Sequence, residues 1–264
     1  MGGPLRIAVG TTSAGQGSTT YALALAWSAA ESRQVRLIDA DPAVGTIGDL
    51  VDLPRDLPSS VENLIGSFEV QPSAIVAQSV NVPGRPTLTV VPGFRRWEFS
   101  AAAVLGRIGP ALSGLPDDIV IVDVGCPFEP PRDPGARRAT AMLAESFDAV
   151  LLVVRAQADV LSRAFRVLTA NPVARARLVV TRPPQRREMA RTMALIRQEL
   201  PMLGTPLEWD WEHARVISAA VNGTPLSRPG LLEETGLVGA GSLVDVTAAH
   251  RRRLRPFFSR GGSR

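Results

Sequence analysis

Apolar residues in this chain come in short runs, each closed by small or acidic residues and separated by longer stretches with helical spacing. Leu5–Thr11 reads as a buried strand, and Thr19–Ser32 as a helix with Leu23, Ala26 and Trp27 along one face. Val35–Ile38 is a second strand and ends on Asp39-Ala40-Asp41-Pro42. From Asp52 to Pro86 the chain is rich in Pro and Ser; it reads as loop and helix decoration, with one helical piece at Val61–Phe68. Thr87–Val91 is a third strand, closed by Pro92-Gly93, and Ser100–Leu112 carries a helical pattern. Asp118–Asp123 is a fourth strand, apolar throughout its middle as a strand covered on both faces should be.

The alternation continues beyond the Pro-rich loop Pro127–Pro134. A helix is predicted near Ala136–Ser146, a strand at Ala149–Val154, a helix at Asp159–Ala170, a strand at Leu178–Thr181, a helix at Gln185–Glu199 and a last strand at Pro206–Trp209. Strands alternating with helices of ten or so residues predict an α/β fold, a mostly parallel central sheet flanked by helices. The sequence shows no internal repeat. We assign residues 1–240 to this domain and 241–264 to a basic tail.

Composition sharpens this picture in three places. At 264 residues and 45% hydrophobic, the chain can bury a sizeable core. Its single cysteine, Cys126, excludes an intrachain disulfide or a multi-cysteine metal site within one chain. All 29 of its basic residues are arginine; there is no lysine. Six of those arginines fall in the last 14 residues, leaving 23 in the first 250 against 25 acids. The excess positive charge therefore belongs to the tail, and DNA is the less favoured partner for so slightly acidic a body. The N-terminus leads directly into the first strand, and no apolar run reaches the roughly 18–20 residues of a membrane span. The expected compartment is the cytoplasm.

The candidate chemistry lies at three strand ends, where ligands of open α/β sheets bind. Strand one runs into Thr11-Thr12-Ser13-Ala14-Gly15-Gln16-Gly17-Ser18-Thr19-Thr20, a small-residue loop opening a helix. Backbone N–H groups and a helix N-terminus there present positive charge to an anion. Strand two ends on Asp39 and Asp41, strand four on Asp123. Carboxylates beside a phosphate cradle can orient water and hold Mg²⁺ through its water shell. Taken singly, Asp39 and Asp123 read equally well as turn or capping residues.

Together these motifs resemble the MinD/ParA family of deviant Walker P-loop ATPases, over roughly residues 5–230. Ser13–Thr20 is similar to that family's Lys-Gly-Gly-x-Gly-Lys-Thr-Thr loop, Leu37–Pro42 with Gly45 and Leu50 to its second-strand motif, and Ile119–Asp123 to its Walker B strand. Val90–Gly93 resembles its third-strand ending, and Val221–Leu226 a nucleotide-side loop. The resemblance implies ATP and Mg²⁺ as ligands. It implies nucleotide contacts from Gly15, Gln16, Gly17, Ser18, Thr19, Thr20, Thr181 and Pro225, and metal contacts, direct or through water, from Thr19, Asp39 and Asp123. Asp39 would orient the attacking water. The resemblance also implies a homodimer that places cell-division sites, DNA, pili or secretion machines, with the MinD-like and pilus-localising (TadZ/CpaE-like) branches favoured.

Both family lysines are missing: Ser13 stands at the signature position and Ser18 at the loop position. Weak or absent hydrolysis is the expectation, since cations on a transferring phosphoryl group supply much of the catalysis. A working ATPase with compensating residues and a nucleotide-free adaptor remain the alternatives. In the tail, Arg251, Arg252, Arg253, Leu254, Arg255, Phe257 and Phe258 mix basic and bulky apolar residues, a composition suited to the anionic inner face of a membrane or to an acidic partner, or to a solvated tail.

Overall fold

A computed structural model describes residues 3–181 apart from 44, 55, 68, 96–98, 129–133, 171–172 and 174–175, together with 194–196, 198, 207–209, 235 and 237. Pro225, the tail from residue 241 and the greater part of the predicted helix Gln185–Glu199 lie outside the described residues.

The strands are β1 (Leu5–Thr11), β2 (Val35–Asp39), β3 (Val80–Val82), β4 (Arg85–Val91), β5 (Ile119–Gly125), β6 (Ala149–Arg155), β7 (Ala176–Thr181) and β8 (Leu207–Trp209). They form one sheet in the order β3-β4-β2-β5-β1-β6-β7-β8. Every pairing is parallel except β3 with β4. The predicted α/β class and mostly parallel sheet are therefore what the chain forms.

The helices are α1 (Ser18–Ala29), α2 (Ile47–Leu50), α3 (Val61–Ile65), α4 (Pro72–Ala77), α5 (Ala101–Ile108), α6 (Pro134–Ser146) and α7 (Ala158–Ala170). The segment read as decoration holds more order than expected. It contains two short helices, α3 and α4, and an antiparallel edge strand closed by Pro83-Gly84, with Gly84 at φ 74°. The helical pattern of Ser100–Leu112 also breaks, passing into a 3₁₀ turn at Gly109–Gly114 where Pro110 removes a backbone donor.

Alternation along the strands sends consecutive side chains to opposite faces, and both faces are covered. Ile7, Val9, Leu37, Ile119, Ile121, Leu151 and Val153 pack on one face with α1. Ala8, Ile38, Val120, Val122, Val150, Leu152 and Val154 pack on the other with residues of α5 and α7. Helix α1 corrects a sequence expectation. Its residues are buried from Tyr21 to Ala29 rather than along one stripe, so it is a core helix and not an amphipathic one. Leu237 joins the same cluster.

Register follows from this packing. Asp39 of β2 faces Asp123 of β5 across a parallel pair, and Val9 of β1 faces Asp123 from the other side. Since Leu37 and Ile121 point to the α1 face, the aspartates two residues further on do too. The sheet thereby brings both carboxylates to the end where α1 begins.

Candidate functional site

The loop between β1 and α1 is shaped by its own short side chains. The Thr11 hydroxyl donates to the Ser13 carbonyl (2.9 Å) and accepts from the Ser13 N–H (3.3 Å), which turns the chain out of the strand. Gly17 caps α1 at φ 93°, in the left-handed region where only glycine sits without strain, and its carbonyl accepts from the Tyr21 N–H. No side chain caps α1, so its first N–H groups remain available to an anion. Ser13 and Ser18 are buried in this turn, and Gln16 is buried beside them.

Asp39 and Asp123 are both fully buried. Asp39 accepts from the Ile47 N–H at 2.9 Å through Oδ2, and Asp123 accepts from the Gly125 N–H at 3.2 Å through Oδ1. Thr19, in the first turn of α1, hydrogen-bonds Asp123 through its hydroxyl. Burial raises the Asp39 carboxyl well above the ordinary aspartate range, and the Asp123 charge raises it further, against the Ile47 N–H. Burial pushes Asp123 up to about 7, with Thr19 and Gly125 opposing and Asp41 assisting. Asp41 is also raised by burial, while the Ala43 N–H, donating to it at 2.9 Å, works the other way. Near neutral pH such a pair retains a proton unless a cation takes its place.

The surroundings hold these carboxylates tightly. A side chain at Gly93 would come within 2.6 Å of the Asp39 carboxyl carbon and 2.5 Å of the Gly45 Cα. Gly45 and Gly93, both noted in the sequence motifs, are thus the close approach that seats Asp39.

Four buried polar atoms in this region lack a hydrogen-bond partner: Asp39 Oδ1, Asp123 Oδ2, Thr12 Oγ1 and Arg155 Nε. Buried polar groups are normally paired, so orphans gathered at one sheet end mark a place for a ligand. Two carboxylate oxygens beside a threonine hydroxyl fit a hydrated divalent cation. Among the described residues no group of three or more His, Cys, Asp or Glu side chains could hold a metal ion by itself. A cation here would complete its shell with water and phosphate oxygens, as Mg²⁺ commonly does.

The fold has counterparts among solved structures. The MinC:MinD cell division protein complex from Aquifex aeolicus matches with a TM-score of 0.63 at 16% identity, over 84% of this chain and 87% of that one. The ATP complex of a McdA variant from Cyanothece matches with a TM-score of 0.62 at 15% identity, over 84% and 89%. The chain has the MinD/ParA P-loop ATPase fold. A third MinD/ParA-fold structure, the septum site-determining protein MinD with Mg-ADP from Pyrococcus horikoshii, matches with a TM-score of 0.59 at 16% identity, over 84% and 87%. The sequence matches no family model and no curated protein.

On this fold the sequence-derived residues divide by place. Gly15, Gln16, Gly17, Ser18, Thr19 and Thr20 form the loop and first turn of α1, with Asp39 and Asp123 beneath them. Thr181 ends β7, fully buried, with its hydroxyl directed to the Val154 carbonyl at 3.4 Å. Cys126 follows β5 and is half-buried.

Sequence reasoning missed Arg155, the last residue of β6. Its backbone N–H donates to Gln16 Oε1 (3.2 Å), and its guanidinium donates to the Gly15 carbonyl (2.5 Å). A basic residue closing an apolar strand was the available signal. What no local pattern announced was that β6 pairs directly with β1, with Val153 opposite Thr11.

Proposed function

We propose that this chain is a nucleotide-binding positioning or assembly factor of the MinD/ParA type, with weak or no ATP hydrolysis. The observation carrying this reading is the convergence of Thr19, Asp39 and Asp123 on a phosphate-loop geometry whose two cation positions are Ser13 and Ser18. The N–H groups of Gly15 to Thr20 would cradle the phosphates. Thr19 would supply a hydroxyl to Mg²⁺, and Asp39 and Asp123 would hold the ion's water shell; the bound ion neutralises phosphate charge. Asp39 would also orient a water molecule.

Without a lysine, little in the loop offsets charge developing on a transferring phosphoryl group. A single such cation is worth roughly 10³–10⁵-fold in related phosphoryl-transfer enzymes, which is the basis for weak hydrolysis. The family's dimerisation through the nucleotide face, a domain covering residues 1–240 and a basic tail that meets an anionic membrane belong to the same proposal. No helix among the described residues is long and apolar enough to cross a membrane, so the tail is the part assigned to membrane contact.

A nucleotide titration with and without Mg²⁺ is the deciding experiment. Binding that depends on Mg²⁺, read as a rise in melting temperature with ATP, is the expected result. Unchanged melting at millimolar ATP would leave a nucleotide-free adaptor. Phosphate release at rates typical of the family would instead favour a working ATPase, the second reading, for which the placement of Arg155 is the specific observation. That reading requires Asp39→Ala to abolish turnover.

A further inference from the structure

We propose that Arg155 supplies, from β6, the phosphate-binding positive charge that the loop itself lacks. This rests on the nucleotide-binding reading above and assigns the cation within that same site.

The chain contains no lysine, so a positive side chain at this loop must be an arginine. Among the described arginines, Arg155 is the one whose guanidinium touches the loop, through the Gly15 carbonyl. It reaches the loop from the neighbouring strand, because β6 pairs with β1 in register from Ile7 to Thr11. The position also lies at the switch point of the sheet. From β1 the chain crosses to β2 on one side, while β6 lies on the other. Ligands of open α/β sheets bind at such a reversal.

Two features say that the guanidinium has capacity left for a ligand. Its Nε–H is buried and unpartnered, and so is the hydroxyl of Thr12, a fully buried residue of the same loop. A guanidinium carries five N–H donors in a planar fork that suits two phosphate oxygens at once. A lone backbone carbonyl uses little of that capacity. The backbone of Arg155 is meanwhile fixed by Gln16 Oε1, so the side chain can exchange the Gly15 carbonyl for phosphate without moving the strand. The ligand class is the phosphate chain of a nucleoside di- or triphosphate.

The test uses the full-length protein with Mg²⁺, comparing Arg155→Ala and Arg155→Lys with the parent against ATP, tripolyphosphate and adenosine. Charge-assisted hydrogen bonds lost to the alanine predict ATP and tripolyphosphate weakened roughly 10- to 100-fold, with adenosine essentially unchanged. The lysine variant, which keeps the charge but not the fork, is expected to recover part of the loss, which also covers the case of an alanine variant that fails to fold. Equal ATP affinity in parent and alanine variant would overturn the assignment and leave the nucleotide-binding reading standing. Parallel loss for ATP and adenosine would also overturn it, as the mark of a merely structural role. A parent that binds neither ATP nor tripolyphosphate would overturn both readings together.

Discussion

Asp39 and Asp123 sit opposite one another on neighbouring parallel strands, both fully buried and each with one oxygen unpartnered. Two like charges in so dry a place repel. Their carboxyls are raised in the folded protein, Asp123 to about 7 and Asp39 well above its ordinary value. The folded state therefore holds protons that the unfolded chain releases. The stability due to this pair is fully present below the ordinary aspartate value of 3.8 and is lost as pH rises through about 7. A cation can replace the proton. We expect millimolar Mg²⁺ to raise the melting temperature clearly at pH 8 and hardly at all at pH 5. The same rise at both values would remove Mg²⁺ from the carboxylate pair.

Asp123→Asn separates the cost of this pair from its use. It removes one charge while keeping an acceptor for the Gly125 N–H and the Thr19 hydroxyl. At pH 8 without Mg²⁺ the variant should be more stable than the parent, on the order of a few kcal/mol. It should also lose the stabilisation by Mg²⁺. Denaturant melts with and without the ion read both effects, and a less stable variant would argue that burial of the charged carboxylate is not what costs stability here.

Much of this was legible in the sequence because it rests on local pattern. Apolar runs such as Ile119–Asp123 and Ala149–Val154 announced buried strands, and helical stretches between them required a parallel sheet. Asp39 and Asp123 were legible as strand-terminal acids. Their adjacency followed only from the family resemblance, because it depends on β5 inserting between β1 and β2, a long-range choice with no local mark. Edge strand β3 escaped notice because Val80–Val82 is three residues long and its partner lies just across the turn. Arg155 escaped because strand order decides what it touches, and no family motif named it.

Gly93 tests how firmly Asp39 is seated. A methyl group there would lie 2.5 Å from the Gly45 Cα and 2.6 Å from the Asp39 carboxyl carbon, so either backbone or a fully buried side chain must shift. Gly93→Ala should cost about 1–3 kcal/mol from overpacking and displace Asp39 from the Ile47 N–H. Urea melts measure the first effect and loss of the Mg²⁺ response at pH 8 the second. A parent-like variant would mean that the two loops separate freely.

Far from the site, Arg36 and Asp117 form a buried ion pair, with Nε–Oδ2 at 2.7 Å and side-chain exposures of 5% and 8%. The guanidinium also donates to the Ser79 hydroxyl, tying β2 to the segment that precedes β3. Asp117→Ala strands a buried cation and should cost roughly 3–5 kcal/mol. Replacing both residues by apolar ones of similar size should cost much less. Equal losses for the single and double variants would show that packing, and not the unpaired charge, sets the penalty.

Gln16 joins the loop to Arg155. Its Oε1 accepts from the Arg155 N–H and its Nε2 donates to the Ala14 carbonyl. Gln16→Ala leaves the Arg155 N–H without its partner, which should cost about 1–3 kcal/mol. Gln16→Glu keeps the acceptor for the Arg155 N–H but loses the donor to the Ala14 carbonyl, and it adds a carboxylate next to Arg155. That carboxylate competes with phosphate for the same donors and adds charge of the wrong sign. The glutamate variant should therefore bind ATP at least tenfold more weakly than the parent, with high salt narrowing the gap by screening. If it bound ATP like the parent, phosphate would lie beyond reach of this pair of residues, and the loop's own N–H groups would have to hold it alone.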